Sequence, residues 1–206
     1  MYIPPSFAER DLATLQRFIE QHSFAMLVSQ EGSEPVASHL PLLLDPNAGP
    51  NGRLIGHMAR ANSQWRSAAG QLVLVIFAGP HAYISPSWYE SDSVVPTWNY
   101  AAVHAYGRLR LIEDSAAVLG IVRQMVTRYE GSRETPWWLD SQPAEFVERM
   151  LAAIIGFEID IERLEGKWKM SQNQPAERQE RVVRALLEST NPEDRQVARI
   201  MRPSGS

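Results

Sequence analysis

Apolar residues near the N-terminus recur at helical spacing, at Leu12, Leu15, Phe18 and Ile19. Ser6 and Glu9 precede them and match a capping box, in which a serine hydroxyl and a glutamate three residues later satisfy free backbone N–H groups. The two patterns together predict a helix over roughly residues 7–21.

Short apolar runs bounded by turn residues follow, and each predicts a β-strand. The predicted strands are 24–29, 33–44, 53–59, 72–79, a brief one at 82–85, 97–114 and 156–164. Gly32 lies at the centre of the first hairpin turn, and the Asn, Asp, Pro and Gly residues of 45–52 mark an exposed turn. Along 97–114 the apolar alternation slips at Gly107, which predicts a β-bulge there.

Helical patterns separate some of these strands and close the chain. A short helix begins at Asn62 or Ser63 and stops at Gly70. The other predicted helices are Asp114 to Glu130, 143–153, 176–189 and 193–201. Six or seven strands joined mostly by hairpins predict a mainly β protein with peripheral helices, a β+α fold built on an antiparallel barrel.

Composition restricts the function classes. The 206 residues are 44% hydrophobic and 21% charged, which is typical of a folded globular protein. The net charge of −4 argues against a surface made mainly to hold nucleic-acid phosphates. The absence of cysteine excludes disulfides, thiol catalysis and iron–sulfur clusters. No signal peptide or membrane-length apolar run is visible, so we expect a soluble, cytoplasmic protein without membrane contact.

The segment GHMARANSQW at 56–65 carries the strongest candidate chemistry. A strand ends, Arg60 follows, and a helix begins with Asn62 in its first turn. A helix start offers free backbone N–H groups, and arginine adds a fork of donors that matches phosphate oxygens. The pattern indicates a small anion site, with simple helix capping and a solvated arginine as the alternative.

The histidines do not show metal-ligand spacing. His39, His57 and His104 lie in or near predicted strands, but neither HxH nor HExxH occurs, so no metal site is predicted. We expect them to be hydrogen-bonded in the barrel or to line a ligand groove, and haem ligation by one of them is the alternative. No GxSxG, GxGxxG or Walker sequence is present, and no catalytic residue is assigned.

The segment LEGKWKMSQNQP at 164–175 follows the last clear strand. It supplies hydrogen-bonding groups from Lys167, Ser171, Gln172 and Asn173. These are groups that a flavin's phosphate, ribityl chain and pyrimidine edge require, although an ordinary polar strand end has the same composition.

Aromatic residues are unusually dense just before and at the start of the strand at 97–114, at Trp88, Tyr89, Trp98 and Tyr100. Each buried Trp or Tyr needs a polar partner for its tip, so core packing alone does not favour such density. A flat ligand, a subunit interface, or both are indicated.

The C-terminal helices carry six arginines: Arg178, Arg181, Arg184, Arg195, Arg199 and Arg202. Glu and Asp residues interleave with them, which favours a solvated, salt-bridged helical surface over direct DNA contact.

The chain resembles the PaiB-type, FMN-binding negative transcriptional regulators. The resemblance rests on MYIPPSF, SHLPLLL, GHMARANSQW, GPHAYISPSWY, VPTWNYAAVHAYG and IIGFEIDIERLEGKWKMSQN, and it weakens beyond about residue 180. The segment between Tyr89 and Val94 is shorter than in some members. The resemblance implies an FMN-binding split barrel, a homodimer with two flavin sites at the subunit interface, a barrel domain at 1–175 and a helical extension at 176–206.

The resemblance also suggests which residues hold the cofactor. The expected flavin-binding residues are His57, Arg60 and Asn62 at the phosphate, then Lys167, Ser171, Gln172 and Asn173, then Ser38 and His39 on a neighbouring strand, with Trp98 beside the ring. The leading hypothesis is an FMN-binding regulator whose repression is direct or indirect. The alternatives are an FMN-dependent oxidoreductase acting on a small molecule and a haem-binding split barrel.

Overall fold

The computed structural model describes residues 1–89 and 94–202. Within them the apolar runs form eight β-strands, along most of which buried and more exposed side chains alternate. In chain order the strands are β1 (Ala8–Glu9), β2 (Phe24–Glu31), β3 (Glu34–Pro41), β4 (Leu43–Asp45), β5 (Arg53–Ala59), β6 (Leu72–Ile84), β7 (Thr97–Ile112) and β8 (Ile154–Lys169). They form one antiparallel sheet in the order β3-β2-β6-β7-β8-β5-β4, and β1 pairs with β8. The predicted mainly β fold with helices is confirmed.

Six α-helices accompany the sheet in the described residues. They are α1 (Leu12–Gln21), α2 (Gln64–Ala68), α3 (Ser115–Glu130), α4 (Ala144–Ala152), α5 (Ala176–Glu188) and α6 (Pro192–Met201). Three short 3-10 helices occupy Pro5–Phe7, Pro86–Tyr89 and Leu139–Ser141. None of the helices in 1–89 and 94–202 is both long and apolar enough to span a membrane.

The chain divides into two compact units. Unit 1 contains residues 1–18, 77–104 and 165–206, and unit 2 contains 19–76 and 105–164. Because β6, β7 and β8 are long, each contributes residues to both units. The predicted division into a barrel domain at 1–175 and an extension at 176–206 stays a prediction, and the short segment after Tyr89 lies at 90–93, outside the described residues.

Unit 2 has a core of large apolar side chains from its strands, including Leu27, Leu54, Ile155, Phe157 and Ile159, all fully buried. The hairpin of β2 and β3 closes around Gly32, whose φ of 62° is accessible to glycine at little cost. In β5, a Cβ on Gly56 would lie 2.6 Å from the Leu42 side chain. Gly56 therefore permits the tight packing directly before His57.

Unit 1 buries Phe77, Ile84 and Val103 from its strands, and Val182, Leu186 and Val197 from its two C-terminal helices. These helices keep their charged residues outward, as their sequence predicts. An i,i+4 ion pair joins Arg181 to Glu177 along α5.

The first helix starts later than the capping box predicts. Pro5–Phe7 form a 3-10 turn, Ala8–Glu9 form β1, and α1 begins at Leu12. The Asp11 carboxylate accepts from the Thr14 N–H at 2.8 Å and caps the helix, while Glu9 accepts from the N–H groups of Arg10 and Asp11. The capping box was wrong because the Asp11 carboxylate caps in place of Ser6.

The reason for predicting a bulge at Gly107 was also wrong. Odd-numbered positions of β7 stay buried from Asn99 to Leu109, so the alternation does not slip. A Cβ on Gly107 would lie only 2.1 Å from the Asp160 carbonyl oxygen. Glycine is required there because another backbone approaches closely.

Candidate functional site

The end of β5, the following turn and α2 form a connected polar segment in unit 2. Asn62 donates from Nδ2 to the Ser38 hydroxyl at 2.8 Å and accepts at Oδ1 from the Gln64 N–H at 3.0 Å. Asn62 therefore ties β3 to the start of α2. The two predicted residues Ser38 and Asn62 are in direct contact.

Gln64 is 3% exposed, and its side chain reaches under the same segment. Its Nε2 donates to the Leu27 carbonyl, the Ser29 hydroxyl and the Val36 carbonyl, at 3.0–3.3 Å. Its buried Oε1 has no hydrogen-bond partner among the described residues. An unsatisfied buried acceptor costs about 1–3 kcal/mol, so this atom has unused capacity for a donor.

Arg60 follows β5 and is held by its backbone. Its N–H donates to the Ala153 carbonyl at 2.8 Å, and its own carbonyl accepts from Trp65 Nε1 at 3.1 Å. The guanidinium makes no hydrogen bond or ion pair within residues 1–89 and 94–202. The neighbouring Arg66 instead lies 4.4 Å from the centre of the Trp65 ring. Arg60 therefore offers a set of free donors on a fixed backbone, which suits an anion.

The helix that follows is shorter than the sequence predicts. It has five residues, and its N-cap Ser63 makes no side-chain capping bond. A single short turn has little dipole, so an anion here would depend mainly on Arg60 and on side-chain amides.

His57 lies on β5, opposite Gly156 of β8. It lines a cavity of about 390 Å³ whose other lining residues are all apolar. Burial lowers the pKa of His57, and its Nδ1 is buried with no hydrogen-bond partner in the described part of the chain. His39, by contrast, is exposed on β3, where its ring stacks on Phe24 at 6.2 Å.

In unit 1, the end of β8 uses its polar groups internally. Lys167 is 7% exposed, donates from Nζ to the Tyr2 carbonyl at 3.0 Å and lies 5.1 Å from the centre of the Tyr100 ring. Lys169 donates to the Thr97 hydroxyl and the Trp98 carbonyl. Burial and the charge of Lys167 lower the pKa of Lys169.

Ser171 ends this segment in an unusual conformation. It is 3% exposed and has a φ of 61°, in the left-handed region that a serine rarely adopts. Its hydroxyl accepts from Asn99 Nδ2 at 3.0 Å, and Asn99 is fully buried. The neighbouring Gln172 bonds the backbone of Met170 and Trp168.

A second cavity, of about 300 Å³, lies in unit 1 beside these groups. Ser171, Asn173, Asn99 and Lys169 line part of it. Trp98 is 52% exposed, with its ring 5.8 Å from His81 and 5.9 Å from Tyr83. The aromatic density predicted from the sequence thus includes a partly uncovered group of rings on β6 and β7.

Two polar residues of these sites were not predicted. Neither Gln64 nor Asn99 is assigned to a site from the sequence alone. Asn99 carries a recognisable signal, because it is a polar residue on the face of β7 that alternation assigns to the core. Gln64 has no such signal, since first-turn glutamines are normally solvated.

The matching family model is described as "Putative FMN-binding domain" and covers residues 1–163 of this chain. The chain belongs to this family. It is also 38% identical to the Bacillus subtilis protein named protease synthase and sporulation protein PAI 2, over 98% of this chain and 96% of that protein. It is therefore an FMN-binding-domain protein related to PAI 2.

Solved structures with the same fold are more distant in sequence. The flavocytochrome Anf3 of Azotobacter vinelandii superimposes with a TM-score of 0.60 and 17% identity, over 79% of this chain and 69% of that chain. The FAD and heme binding protein of Mycobacterium smegmatis gives a TM-score of 0.60 and 15% identity, over 84% and 78%. Such neighbours are flavin-binding split-barrel proteins, and this chain has the split-barrel fold that its sequence resemblance implies.

Proposed function

We propose that this protein binds FMN and acts as a regulator of gene expression in the manner implied by its likeness to PAI 2. The observation that carries the proposal is the free Arg60 guanidinium at the end of β5, in a chain of an FMN-binding family. A phosphate monoester is the part of FMN that such a fork of donors recognises.

The proposed phosphate site combines three features of unit 2. Arg60 supplies the charge, and the Asn62 amide lies two residues further on, oriented by its bond to Ser38 at 2.8 Å. The free Oε1 of Gln64 is an acceptor, so it suits a ribityl hydroxyl better than a phosphate oxygen. The residues present therefore fit the phosphate and sugar-alcohol end of FMN.

The ring end of the flavin is proposed from the resemblance. We keep Trp98 as a ring neighbour, and Lys167, Ser171, Gln172 and Asn173 as residues that reach a flavin of the partner subunit. Of these, Asn173 is exposed, whereas Lys167 and Ser171 are buried. His57 stays a proposed flavin neighbour with Arg60 and Asn62, and Ser38 and His39 follow on the neighbouring strand.

We propose a homodimer, which the resemblance to the PaiB-type regulators also implies. Trp98 and Tyr83 are 52% and 46% exposed and lie in contact with each other. Exposed, clustered aromatic residues are typical of protein interfaces. Sedimentation velocity tests the dimer, and a monomer at micromolar concentration would contradict it.

Regulation is proposed to act through flavin state or a protein partner in the cytoplasm. A net charge of −4 does not favour tight DNA binding, because affinity for DNA depends on neutralising phosphates. We expect no sequence-specific DNA retention at physiological salt. Specific retention of a promoter fragment would instead support direct repression.

The cofactor experiment is a calorimetric titration of the purified, flavin-free protein with FMN and with riboflavin. We expect saturable FMN binding with one site per chain, and weaker riboflavin binding because riboflavin lacks the phosphate. Equal affinity for FMN and riboflavin would contradict the proposed phosphate site. Absence of binding by either flavin would contradict the proposed function. Parallel titrations with FAD and haemin test whether the protein prefers another cofactor to FMN.

A further inference from the structure

The apolar cavity beside β5 is formed entirely within unit 2. His57 and Ala59 contribute from β5, Val122 from α3, four residues from α4, and Ile154 from the start of β8. Its volume of about 390 Å³ lies within the usual range for small-molecule sites, which is roughly 300–1,000 Å³.

Large apolar side chains at this cavity remain partly exposed. Trp137, Phe146 and Met150 are 42%, 36% and 45% exposed, although each is large enough to fill a core. Exposing such side chains together is unfavourable, and covering them with an apolar molecule would remove that cost.

Among the described residues that line the cavity, the one ionisable side chain is His57. Because burial lowers its pKa, the imidazole is neutral at neutral pH. A neutral imidazole has one N–H donor and one acceptor nitrogen, and neither nitrogen has a hydrogen-bond partner in the described residues. The backbone of Ala153 is already used, since its carbonyl accepts from Arg60 and its N–H donates to Met150.

This arrangement restricts the ligand chemistry. A flavin ring brings several carbonyl and N–H groups along its pyrimidine edge, and haem brings two carboxylates, which one imidazole cannot satisfy. Burying a polar group without a partner costs more than its burial returns. The lining also contains no cation for an acidic ligand.

We propose that this cavity binds a small, uncharged aromatic molecule that carries a single hydrogen-bonding group, which His57 engages. Trp137 and Phe146 cover its apolar rings. Arg60 and Asn62 do not line this cavity, and its test uses no flavin, so failure of this proposal and failure of FMN binding are distinguishable.

The test uses 2-naphthol and naphthalene as probes, titrated into the full-length protein by calorimetry. Both have two fused rings, and only 2-naphthol has a hydroxyl. We expect one site per chain and about tenfold tighter binding of 2-naphthol, which is the effect of one hydrogen bond.

Two variants separate the hydrogen bond from the cavity. His57→Phe should abolish the preference for 2-naphthol while leaving naphthalene bound, because the ring volume stays similar. Val147→Phe should weaken both probes at least tenfold, because the larger side chain occupies the cavity. His81→Phe is the matched control on the exposed surface of unit 1, and it should change neither affinity.

Circular dichroism checks that the variants fold. Amide chemical-shift mapping on the wild-type protein needs no variant, and the 2-naphthol shifts should be confined to β5, α3, α4, 137–139 and the start of β8. Absent binding, shifts elsewhere, or a preference retained in His57→Phe overturns the proposal. A haemin Soret band that His57→Phe abolishes would also overturn it, in favour of a haem pocket.

Discussion

At the end of β5 the Arg60 guanidinium and Gln64 Oε1 have no partners among the described residues, whereas at the end of β8 the ammonium groups of Lys167 and Lys169 both donate to carbonyl oxygens. The two segments have similar compositions, each with basic residues, an asparagine, a glutamine and a serine. They differ in how much of their hydrogen-bonding capacity the fold itself uses.

The difference separates two roles for a polar residue. Hydrogen bonds made within the chain stabilise one conformation, and groups left unsatisfied are available to a ligand. We therefore expect substitution of Arg60 to change FMN affinity more than stability. We expect substitution of the buried Asn99, which bonds Ser171 at the end of β8, to do the reverse.

The largest expected effect is that of Arg60→Ala. Losing a charge-assisted bond to the phosphate should weaken FMN binding by roughly 10–150-fold, or about 1.5–3 kcal/mol, and should leave riboflavin affinity unchanged. Titration calorimetry measures both. Arg66→Ala is the matched control, because that arginine packs over Trp65, and it should retain FMN affinity. Equal FMN affinity in Arg60→Ala and the wild type would contradict a ligand-binding role for the free donors at the end of β5.

At the end of β8, Asn99→Ala should lower the free energy of unfolding. Asn99 is fully buried and bonded to Ser171, so its removal leaves that hydroxyl without this partner, at a cost of about 1–3 kcal/mol. Urea denaturation measures the change. The exposed Asn173→Ala should stay within about 0.5 kcal/mol of the wild type. A large loss of FMN affinity in Asn99→Ala without lost stability would assign this residue to the ligand instead.

A smaller effect isolates the backbone of Ser171. Ser171→Gly and Ser171→Ala both remove the hydroxyl, but only glycine accepts a φ of 61° without strain. Ser171→Gly should be more stable than Ser171→Ala by about 1 kcal/mol in urea denaturation. If alanine is equally stable, the left-handed conformation at this position carries no strain.

The smallest effect concerns pH. Burial lowers the folded-state pKa of His57 below the ordinary value near 6.5, so the unfolded chain takes up a proton first as pH falls. Stability should therefore be greatest above about pH 6.5 and should decline between that value and the lower folded-state pKa. His22 and His104 are shifted in the same direction. Urea midpoints at about pH 7.5 and about pH 5.5 should differ less in His57→Phe than in the wild type, and an equal difference would contradict this contribution.

Much of the fold follows from local patterns in the sequence. The helix capped by Asp114 and ended at Gly131 is found as predicted, because Asp114 accepts from the Ala117 N–H at 2.8 Å. The hairpin at Gly32 and the long strand from Thr97 are also confirmed. The start of α1 was not predictable, because it depends on a choice between two local caps, Ser6 and Asp11. The reason for Gly107 was not predictable, because it is the close approach of Asp160, which is distant in sequence.

The candidate site was predictable in residue type but not in bonding. The sequence assigns Arg60 and Asn62 to one segment, and only the fold shows that Asn62 bonds Ser38, which is 24 positions away. Lys167 has the composition of a ligand-binding residue, yet it is buried against Tyr2 because β8 continues to Lys169. Strand length, which local patterns predict poorly, decided its environment.

The hydrogen bond from the Arg60 N–H to the Ala153 carbonyl ties the two proposed sites together, in addition to the peptide bond between Ala59 and Arg60. Ala153 lines the apolar cavity, and Arg60 carries the donors for the phosphate. If an aromatic molecule in the cavity moves the junction of α4 and β8, the backbone of Arg60 moves with it. The affinities for the aromatic molecule and for FMN are then thermodynamically linked. Linkage is reciprocal, so FMN would change the affinity for the aromatic molecule by the same factor. A molecule in the cavity would thereby change FMN binding without touching the flavin.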